Sequence, residues 1–143
     1  MTAYMPRQQT KEAIAETTLV RDFMQTVQYN YVLNPKFMNT IDVHQKDQFG
    51  YTALYWAIYH HNMHNAKILF YYGCTLDVTN DLKKAPFCAV DSNNLDFVLY
   101  LVDKGIDIFM EYRGESLMAY AQRLGSKEMK ASLKMMHLSR ING

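Results

Sequence analysis

The chain has 143 residues, of which 49% are hydrophobic, so one domain with a packed core is expected. Its 15 basic and 14 acidic residues nearly cancel, which argues against a dedicated nucleic-acid binder, because such proteins carry a clear excess of positive charge. No apolar run approaches the roughly 20 residues of a membrane span, and the first residues lack the apolar stretch of a secretory signal. These features favour a cytoplasmic protein that binds neither nucleic acid nor membrane, and export as an effector by another route stays open.

The N-terminal part predicts a flexible tail at residues 1–9, followed by a helix that Thr10 caps and that runs to about Tyr31. Apolar residues recur every three or four positions in that helix and form one stripe. The stripe consists of Val20, Phe23, Met24, Val27 and Tyr31. Asn34-Pro35 predicts the start of a second, short helix, with Phe37 and Met38 on its buried side.

The segment from Asp47 to Val78 predicts two short helices joined by a tight turn. Gly50 suits a turn with positive φ, and Thr52 stands where a helix N-cap is expected. Leu54, Ala57 and Ile58 share one face of the first helix, and Ala66, Leu69 and Phe70 share one face of the second. His61-Asn62 separates the helices, and Gly73 ends the pair. Helices this short are not stable alone in water, so the unit must pack against similar units.

The pattern D-x-x-G-x-T-A-L-x-x-A, followed by L-x-x-x-G, resembles the ankyrin repeat, whose period is about 33 residues. The matching residues are Asp47, Gly50, Thr52, Leu54, Ala57, Leu69 and Gly73. The chain departs from the family pattern where Ala53 replaces proline, where Tyr55 replaces the histidine that usually bonds the threonine, and where Asn65 replaces an apolar residue. The resemblance covers about residues 20–136.

Two further units follow. In the first, Ala85-Pro86-Phe87 replaces T-P-L, with Pro86 at the first helical position, and Lys83 stands at the turn glycine. Only 32 residues separate Gly73 from Gly105, so one residue is missing from the first helix or its lead-in. The second unit matches the family at Gly114, Ser116, Met118 and Ala121. Its last helix carries Met129, Leu133 and Met136 on one face, and residues 140–143 are interpreted as a tail.

The resemblance implies an all-α ankyrin solenoid of about three repeats with a degenerate first unit and helical caps. The expected divisions are a tail at 1–9 and a repeat domain at 10–139. Within that domain we expect N-terminal capping helices at 10–40, repeats at 41–73 and 74–105, and a C-terminal capping repeat at 106–139. The family implies protein binding, with no catalysis and no cofactor.

No catalytic motif is evident. His60 and His64 are four residues apart, a spacing that can place two imidazoles on one helix face as metal ligands. No cysteine or carboxylate nearby completes a tetrahedral set, so a surface turn is the favoured interpretation and no metal site is expected. Cys74 and Cys88 are not in a C-x-x-C spacing and are interpreted as reduced, buried thiols.

In ankyrin repeats the hairpin-like loop between successive repeats is called the finger, and here the first finger is Ile41 to Gly50. Ankyrin repeats usually contact partners through these fingers and through the exposed side of the first helix of each pair. Carried over by position, the first finger and helix contribute Gln48, Phe49, Tyr51, Tyr59 and His60. The second finger contributes Asp81, Leu82 and Lys84, and the third finger and its helix contribute Tyr112, Arg113, Glu115 and Arg123. Several of these are large aromatic residues or arginine, the types that dominate binding hot spots.

Two interpretations of this surface stay open. In the first, it binds another protein, and the chain acts as an adaptor or inhibitor, with an effector or an immunity-type inhibitor of a toxin as examples. In the second, the aromatic residues pack on their own neighbours or on a second copy, and the chain is a structural subunit of an assembly. Tyr55, Trp56, Tyr71 and Tyr72 are assigned to packing between repeats.

Overall fold

The computed structural model describes residues 23–142, which fold into a series of helix pairs. Residues 23–28 are helical (α1), and a 3-10 helix follows at Pro35–Thr40. The later pairs are α2 (Ala53–Tyr59) with α3 (Met63–Tyr71), α4 (Ala85–Asp91) with α5 (Leu95–Asp103), and α6 (Leu117–Leu124) with α7 (Lys127–Asn142). The predicted tail at 1–9, the helix start at Thr10, the stripe residue Val20 and the last residue Gly143 lie outside the described residues.

The first helices of the pairs pack side by side, α2 against α4 and α4 against α6, and each second helix packs against its own first helix. The result is a solenoid with one row of first helices and one row of second helices. Between residues 23 and 142 the one sheet is an antiparallel hairpin of β1 (Glu111–Tyr112) and β2 (Glu115–Ser116). The predicted all-α solenoid is confirmed.

The apolar stripes predicted from the sequence form the core. Leu54, Ala57 and Ile58 of α2 are buried, and so is Leu69 of α3. The same faces are buried in the later pairs, through Phe87, Val90, Phe97, Leu101, Val102, Leu117, Ala121, Met129 and Leu133. Each pair therefore buries its apolar face against its neighbours, which is the stabilisation that such short helices need.

The turns that follow α1, α2 and α4 share one feature, a residue with positive φ. Asn30, His61 and Asn93 adopt positive φ values of 62°, 57° and 54°. In the α2–α3 and α4–α5 turns the next residue caps the second helix. The Asn62 side chain accepts from the Asn65 N–H, and the Asn94 side chain caps α5 in the same way. The predicted break at His61-Asn62 is confirmed.

The residue missing from the repeat lies outside the helices. α2 and α4 both have seven residues, and α3 and α5 both have nine, so the missing residue belongs to the segment that leads into α4.

The turn of the second finger differs from the prediction. Leu82, with φ of 62°, takes the place that Gly50 holds with φ of 83°, so the assignment of Lys83 to this position is wrong. Pro86 is the second residue of α4, because the helix already begins at Ala85.

Three aromatic residues predicted to be packed are exposed. Tyr31 lies beyond the end of α1 and is 67% exposed, and Tyr71 is 82% exposed. Phe37 is also exposed while Met38 is buried. In a 3-10 helix consecutive side chains point about 120° apart, so these two cannot both face the core.

The C-terminal end is more ordered than the sequence indicates. The predicted tail is wrong for residues 140–142, because α7 continues to Asn142. Arg140 explains the longer helix, since its Nη2 donates to the carbonyl oxygen of Val102 at 3.0 Å and thereby ties α7 to the end of α5.

Thr52 occupies the N-cap position of α2, but its hydroxyl does not make the predicted capping bond. The oxygen is buried and has no hydrogen-bond partner among the described residues. Tyr55 holds the position of the family's histidine, and its ring instead stacks on Tyr51 at 3.8 Å. The hydroxyl has therefore lost the partner that the family pattern supplies.

Replacing Thr52 by valine is expected to raise the free energy of unfolding by about 1 kcal/mol, because it removes a buried, unpaired hydroxyl while keeping the side-chain shape. Urea unfolding followed by circular dichroism measures the change. Thr52→Ser keeps the hydroxyl and removes a methyl group, and is the matched control that is expected to be destabilised. A loss of stability in Thr52→Val would show that the hydroxyl has a partner.

Candidate functional site

The first finger is organised by the carboxylate of Asp47. Its Oδ1 accepts from the backbone N–H groups of Phe49 at 2.9 Å and Tyr51 at 3.0 Å. Its Oδ2 accepts from Gln28 Nε2 at 2.9 Å and Trp56 Nε1 at 2.7 Å. Partial burial disfavours the charged form, but these four hydrogen bonds outweigh it and hold the pKa of Asp47 below its usual value. One side chain thus fixes the finger to both α1 and α2.

A continuous aromatic surface extends from this finger along α2, and we call Phe49, Tyr51, Tyr55, Trp56 and Tyr59 the aromatic wall. The rings of Tyr51 and Tyr55 stack at 3.8 Å, and that of Tyr59 lies nearly parallel to Tyr55 at 6.4 Å. Phe49 extends the wall to the finger tip, 6.3 Å from Trp56. Phe49 is 60% exposed and Tyr59 54% exposed, while the other three are half-buried. The wall therefore combines an internally packed base with two exposed rings.

Tyr55 belongs to this wall as well as to the packing between repeats that the sequence suggested. Burial, with a smaller contribution from the neighbouring Tyr51, raises the pKa of Tyr55 to about 12. Its hydroxyl therefore stays protonated at neutral pH and can donate a hydrogen bond.

The second and third fingers are joined through Asp81. Its carboxylate accepts from the Tyr112 hydroxyl at 2.6 Å and from Arg113 Nη2 at 2.9 Å, and the Thr79 hydroxyl also donates to it. The bonds from Thr79 and Tyr112 lower the pKa of Asp81. Tyr112 and Arg113 come from the β1–β2 hairpin, whose turn places Arg113 and Gly114 at positive φ. Residues about 30 positions apart in the sequence thus form one polar cluster.

A further ion pair lies beside this cluster. Arg123 of α6 binds Glu115 of β2 in a bidentate manner, with Nη2 2.6 Å from Oε1 and Nε 3.0 Å from Oε2. The bond from Arg123 lowers the pKa of Glu115. Planar bidentate pairs of this kind hold both side chains in defined positions.

Lys83, Asp91 and Tyr120 form a network that sequence reasoning missed. The Tyr120 hydroxyl donates to Asp91 Oδ1 at 2.5 Å, and Lys83 Nζ donates to the Tyr120 oxygen at 2.9 Å and to Asp91. Burial opposes the charge on Lys83, but the contacts with Asp91 and Tyr120 outweigh it and raise the Lys83 pKa. The sequence did contain a signal, because Tyr59, Asp91 and Arg123 are spaced 32 residues apart, and only Asp91 was left out of the predicted site.

These clusters line a groove of about 550 Å³, which we call the charged groove. It contains three acidic and three basic side chains, paired as Asp81 with Arg113, Asp91 with Lys83, and Glu115 with Arg123. Its lining residues are Tyr51, Tyr55, Thr79, Asp81, Lys83, Cys88, Asp91, Tyr112, Arg113, Glu115, Tyr120 and Arg123. The aromatic wall forms one side of the groove, and the two together are the finger face.

Six of the predicted site residues line the charged groove, and Phe49 and Tyr59 extend its wall. The other four stand apart from it. Gln48 and Leu82 are exposed at finger tips, and Lys84 pairs with Asp77. His60 is half-buried, with Nε2 2.6 Å from the carbonyl oxygen of Gln28.

The histidines are also held by backbone contacts. His61 Nε2 lies 2.9 Å from the carbonyl oxygen of Ser92, so His60 and His61 bind the units on either side. Across the part of the chain that the structure describes, no three His, Cys, Asp or Glu side chains are grouped to hold a metal ion. Burial raises the pKa of the free thiols of Cys74 and Cys88 to about 12, so both are protonated at neutral pH.

The model of the family described as ankyrin repeats (3 copies) matches residues 23–112. The chain belongs to the ankyrin repeat family. The match starts in α1 and ends at β1, and α6 and α7 extend the same helix-pair arrangement beyond it. No match was found among the curated proteins. Ankyrin repeats are in general protein–protein interaction modules, and the resemblance inferred from Asp47 to Gly73 is confirmed. Among the described helices none has the length and apolar character needed to cross a membrane.

Proposed function

We propose that this ankyrin repeat protein binds a partner protein through the finger face and acts as an adaptor or inhibitor by covering a surface of that partner. An effector and an immunity-type inhibitor are two forms that such a role takes. The observation that carries the proposal is the exposure of Phe49 and Tyr59 on a wall of five contiguous aromatic residues. Large aromatic side chains of this kind supply much of the binding energy at protein interfaces.

The finger face is also held in a fixed shape before any partner arrives. Asp47 binds the first finger to α1 and α2, and Asp81 joins the second finger to the third. A preformed surface loses little conformational entropy on binding, so more of the contact energy contributes to affinity. The equal numbers of acidic and basic groups in the charged groove favour recognition by shape and hydrogen bonds over attraction to a highly charged partner.

A second candidate function is self-association in a structural assembly. The charged groove supports it, because a surface with paired charges of both signs can be complementary to its own copy across a two-fold axis. Light scattering at increasing protein concentration distinguishes the two functions. A dimer that disappears when Phe49 and Tyr59 are replaced by alanine would favour self-association, and a monomer at all concentrations would favour a different partner.

The double variant Phe49→Ala/Tyr59→Ala is expected to weaken binding to the partner by about 30-fold or more, because each ring is of the hot-spot type. Both rings are exposed, so the fold should be kept. Tyr51 is left unchanged, since its ring stacks on Tyr55. The matched control is Tyr31→Ala/Phe37→Ala, which removes one tyrosine and one phenylalanine that are also exposed but lie on the first unit.

The measurement begins with affinity capture from the native lysate and continues with a binding curve for the captured protein. We expect the wild type and the control to retain the partner and the double variant to lose it, with unchanged circular dichroism. Equal retention by all three proteins would show that the binding surface lies elsewhere.

A further inference from the structure

A second groove of about 500 Å³ lies between α3 and α5, in the row of second helices that the finger face does not use. Its surface is mainly apolar. Phe70, Leu76 and Ile106 are half-buried there, and Tyr71 stands almost fully exposed at the edge. The volume is in the range of pockets that bind ligands, and a large exposed apolar surface on a small protein commonly marks an interaction site.

Two lysines give this groove its charge. Lys67 Nζ lies 5.6 Å and Lys104 Nζ lies 5.4 Å from the ring centre of Tyr100, so the two ammonium groups are at most about 11 Å apart. Neither lysine forms an ion pair with any residue between 23 and 142. Among the described residues the groove therefore presents two positive charges without an acidic partner, beside an apolar surface. In the charged groove, by contrast, each basic side chain is paired with an acidic one.

We propose that this site, the lysine groove, binds an amphipathic helix of a partner protein whose apolar stripe is flanked by aspartate or glutamate. A helix fits the space because its apolar residues can enter between α3 and α5, as in other complexes in which a helix binds a hydrophobic groove. Acidic residues four to seven positions apart lie about 6–10 Å apart along a helix, which is within the upper limit of about 11 Å on the separation of the two ammonium groups.

The chemistry of the groove favours this occupant over other anionic partners. A nucleic acid needs a wider basic surface, and its charged backbone is not complementary to the apolar surface formed by Phe70, Leu76 and Ile106. The finger face and the lysine groove are built from different residues, so the two proposals stand or fall separately. A protein with both sites would hold two partners at once, which is the arrangement expected of an adaptor.

The probe is a fluorescein-labelled helical peptide of about 18 residues with leucines at i, i+3, i+4 and i+7 and glutamates on both sides of that stripe. The comparison peptide has lysine in place of each glutamate. Fluorescence anisotropy with the full chain should show binding of the glutamate peptide, with an affinity that falls as salt is added, and much weaker binding of the lysine peptide.

The variant Lys67→Glu/Lys104→Glu should weaken binding of the glutamate peptide by about tenfold or more and should gain binding of the lysine peptide. The exchange of preference cannot result from unfolding, so the test holds even if the variant is less stable. Lys127→Glu/Lys134→Glu on α7 is the matched control, with the same change of charge at exposed lysines, and should change the affinity by less than about twofold.

Three results would overturn the proposal. Binding of the glutamate peptide that is unaffected by Lys67→Glu/Lys104→Glu would place the site elsewhere. Absence of binding up to about 1 mM peptide would mean that the groove has no useful affinity for acidic helices. Binding to phosphatidylserine vesicles without binding to the glutamate peptide would assign the groove to an anionic lipid surface.

Discussion

Replacing Asp47 by alanine is expected to lower the free energy of unfolding by about 3 kcal/mol, the largest effect that we predict for a single side chain of the first finger. The change leaves two backbone N–H groups, the Gln28 amide and the Trp56 indole without their acceptor. Urea unfolding followed by the fluorescence of Trp56, the one tryptophan of the chain, measures it directly.

Asp42→Ala is the matched control, because Asp42 is an exposed carboxylate near the same finger whose bond is to its neighbour His44. It should change the stability by no more than about 0.5 kcal/mol. A similar loss in both variants would mean that removal of charge, and not the hydrogen bonds of Asp47, causes the effect.

Asp47 should also contribute to the loss of stability in acid. Its pKa is lowered in the folded chain, so the ionised form stabilises the fold. This contribution is complete above the unfolded value of about 4 and is lost as the pH falls through the folded value. The stability of the wild type should therefore decline below about pH 4 more steeply than that of Asp47→Asn. Parallel pH profiles would contradict this assignment.

Replacing Asn65 by leucine is expected to lower the free energy of unfolding by about 2–4 kcal/mol, although it restores the apolar residue that ankyrin repeats usually have there. Asn65 is buried, its Oδ1 accepts from the Leu33 N–H, and its Nδ2 donates to the Tyr31 carbonyl oxygen, both at 2.8 Å. Leucine would leave both backbone groups unpaired and would remove the main polar link between α3 and the first unit.

Asn39→Leu is the control, because Asn39 is exposed in the 3-10 helix. Its free energy of unfolding should stay within about 0.5 kcal/mol of the wild-type value. Hydrogen exchange adds a local measurement, because residues 29–40 should lose protection before the later repeats do in Asn65→Leu. A variant as stable as the wild type would show that apolar packing at position 65 compensates for the two hydrogen bonds.

Much of the fold could be predicted because its signals are local. Asn34 and Pro35 start a helix through a cap and a fixed φ, and Gly73 ends one because it adopts positive φ. The apolar stripes identify the buried faces, since burial of a face is the only way that such short helices become stable. For the candidate site, the repeat register located the fingers, and eight of the twelve predicted residues line or extend the charged groove.

Some errors concern polar contacts that the pattern of apolar residues does not show. Asp91 was missed because its charge matters through Lys83 and Tyr120, which come from a finger and from the next repeat. The role of Trp56 was only partly predicted, because the bond from its indole to Asp47 is invisible in the apolar pattern.

The sequence by itself therefore determined the repeat family, the order of the helices and the faces that are buried, because each depends on backbone preferences and on a regular spacing of apolar residues. Only the tertiary structure decided which polar groups meet. The Thr52 hydroxyl does not make the capping bond that its position predicts, whereas Asn65 gains two backbone partners from the first unit. A hydrogen bond forms or fails on differences of a few tenths of an ångström between donor and acceptor, and no local pattern in the chain encodes such differences.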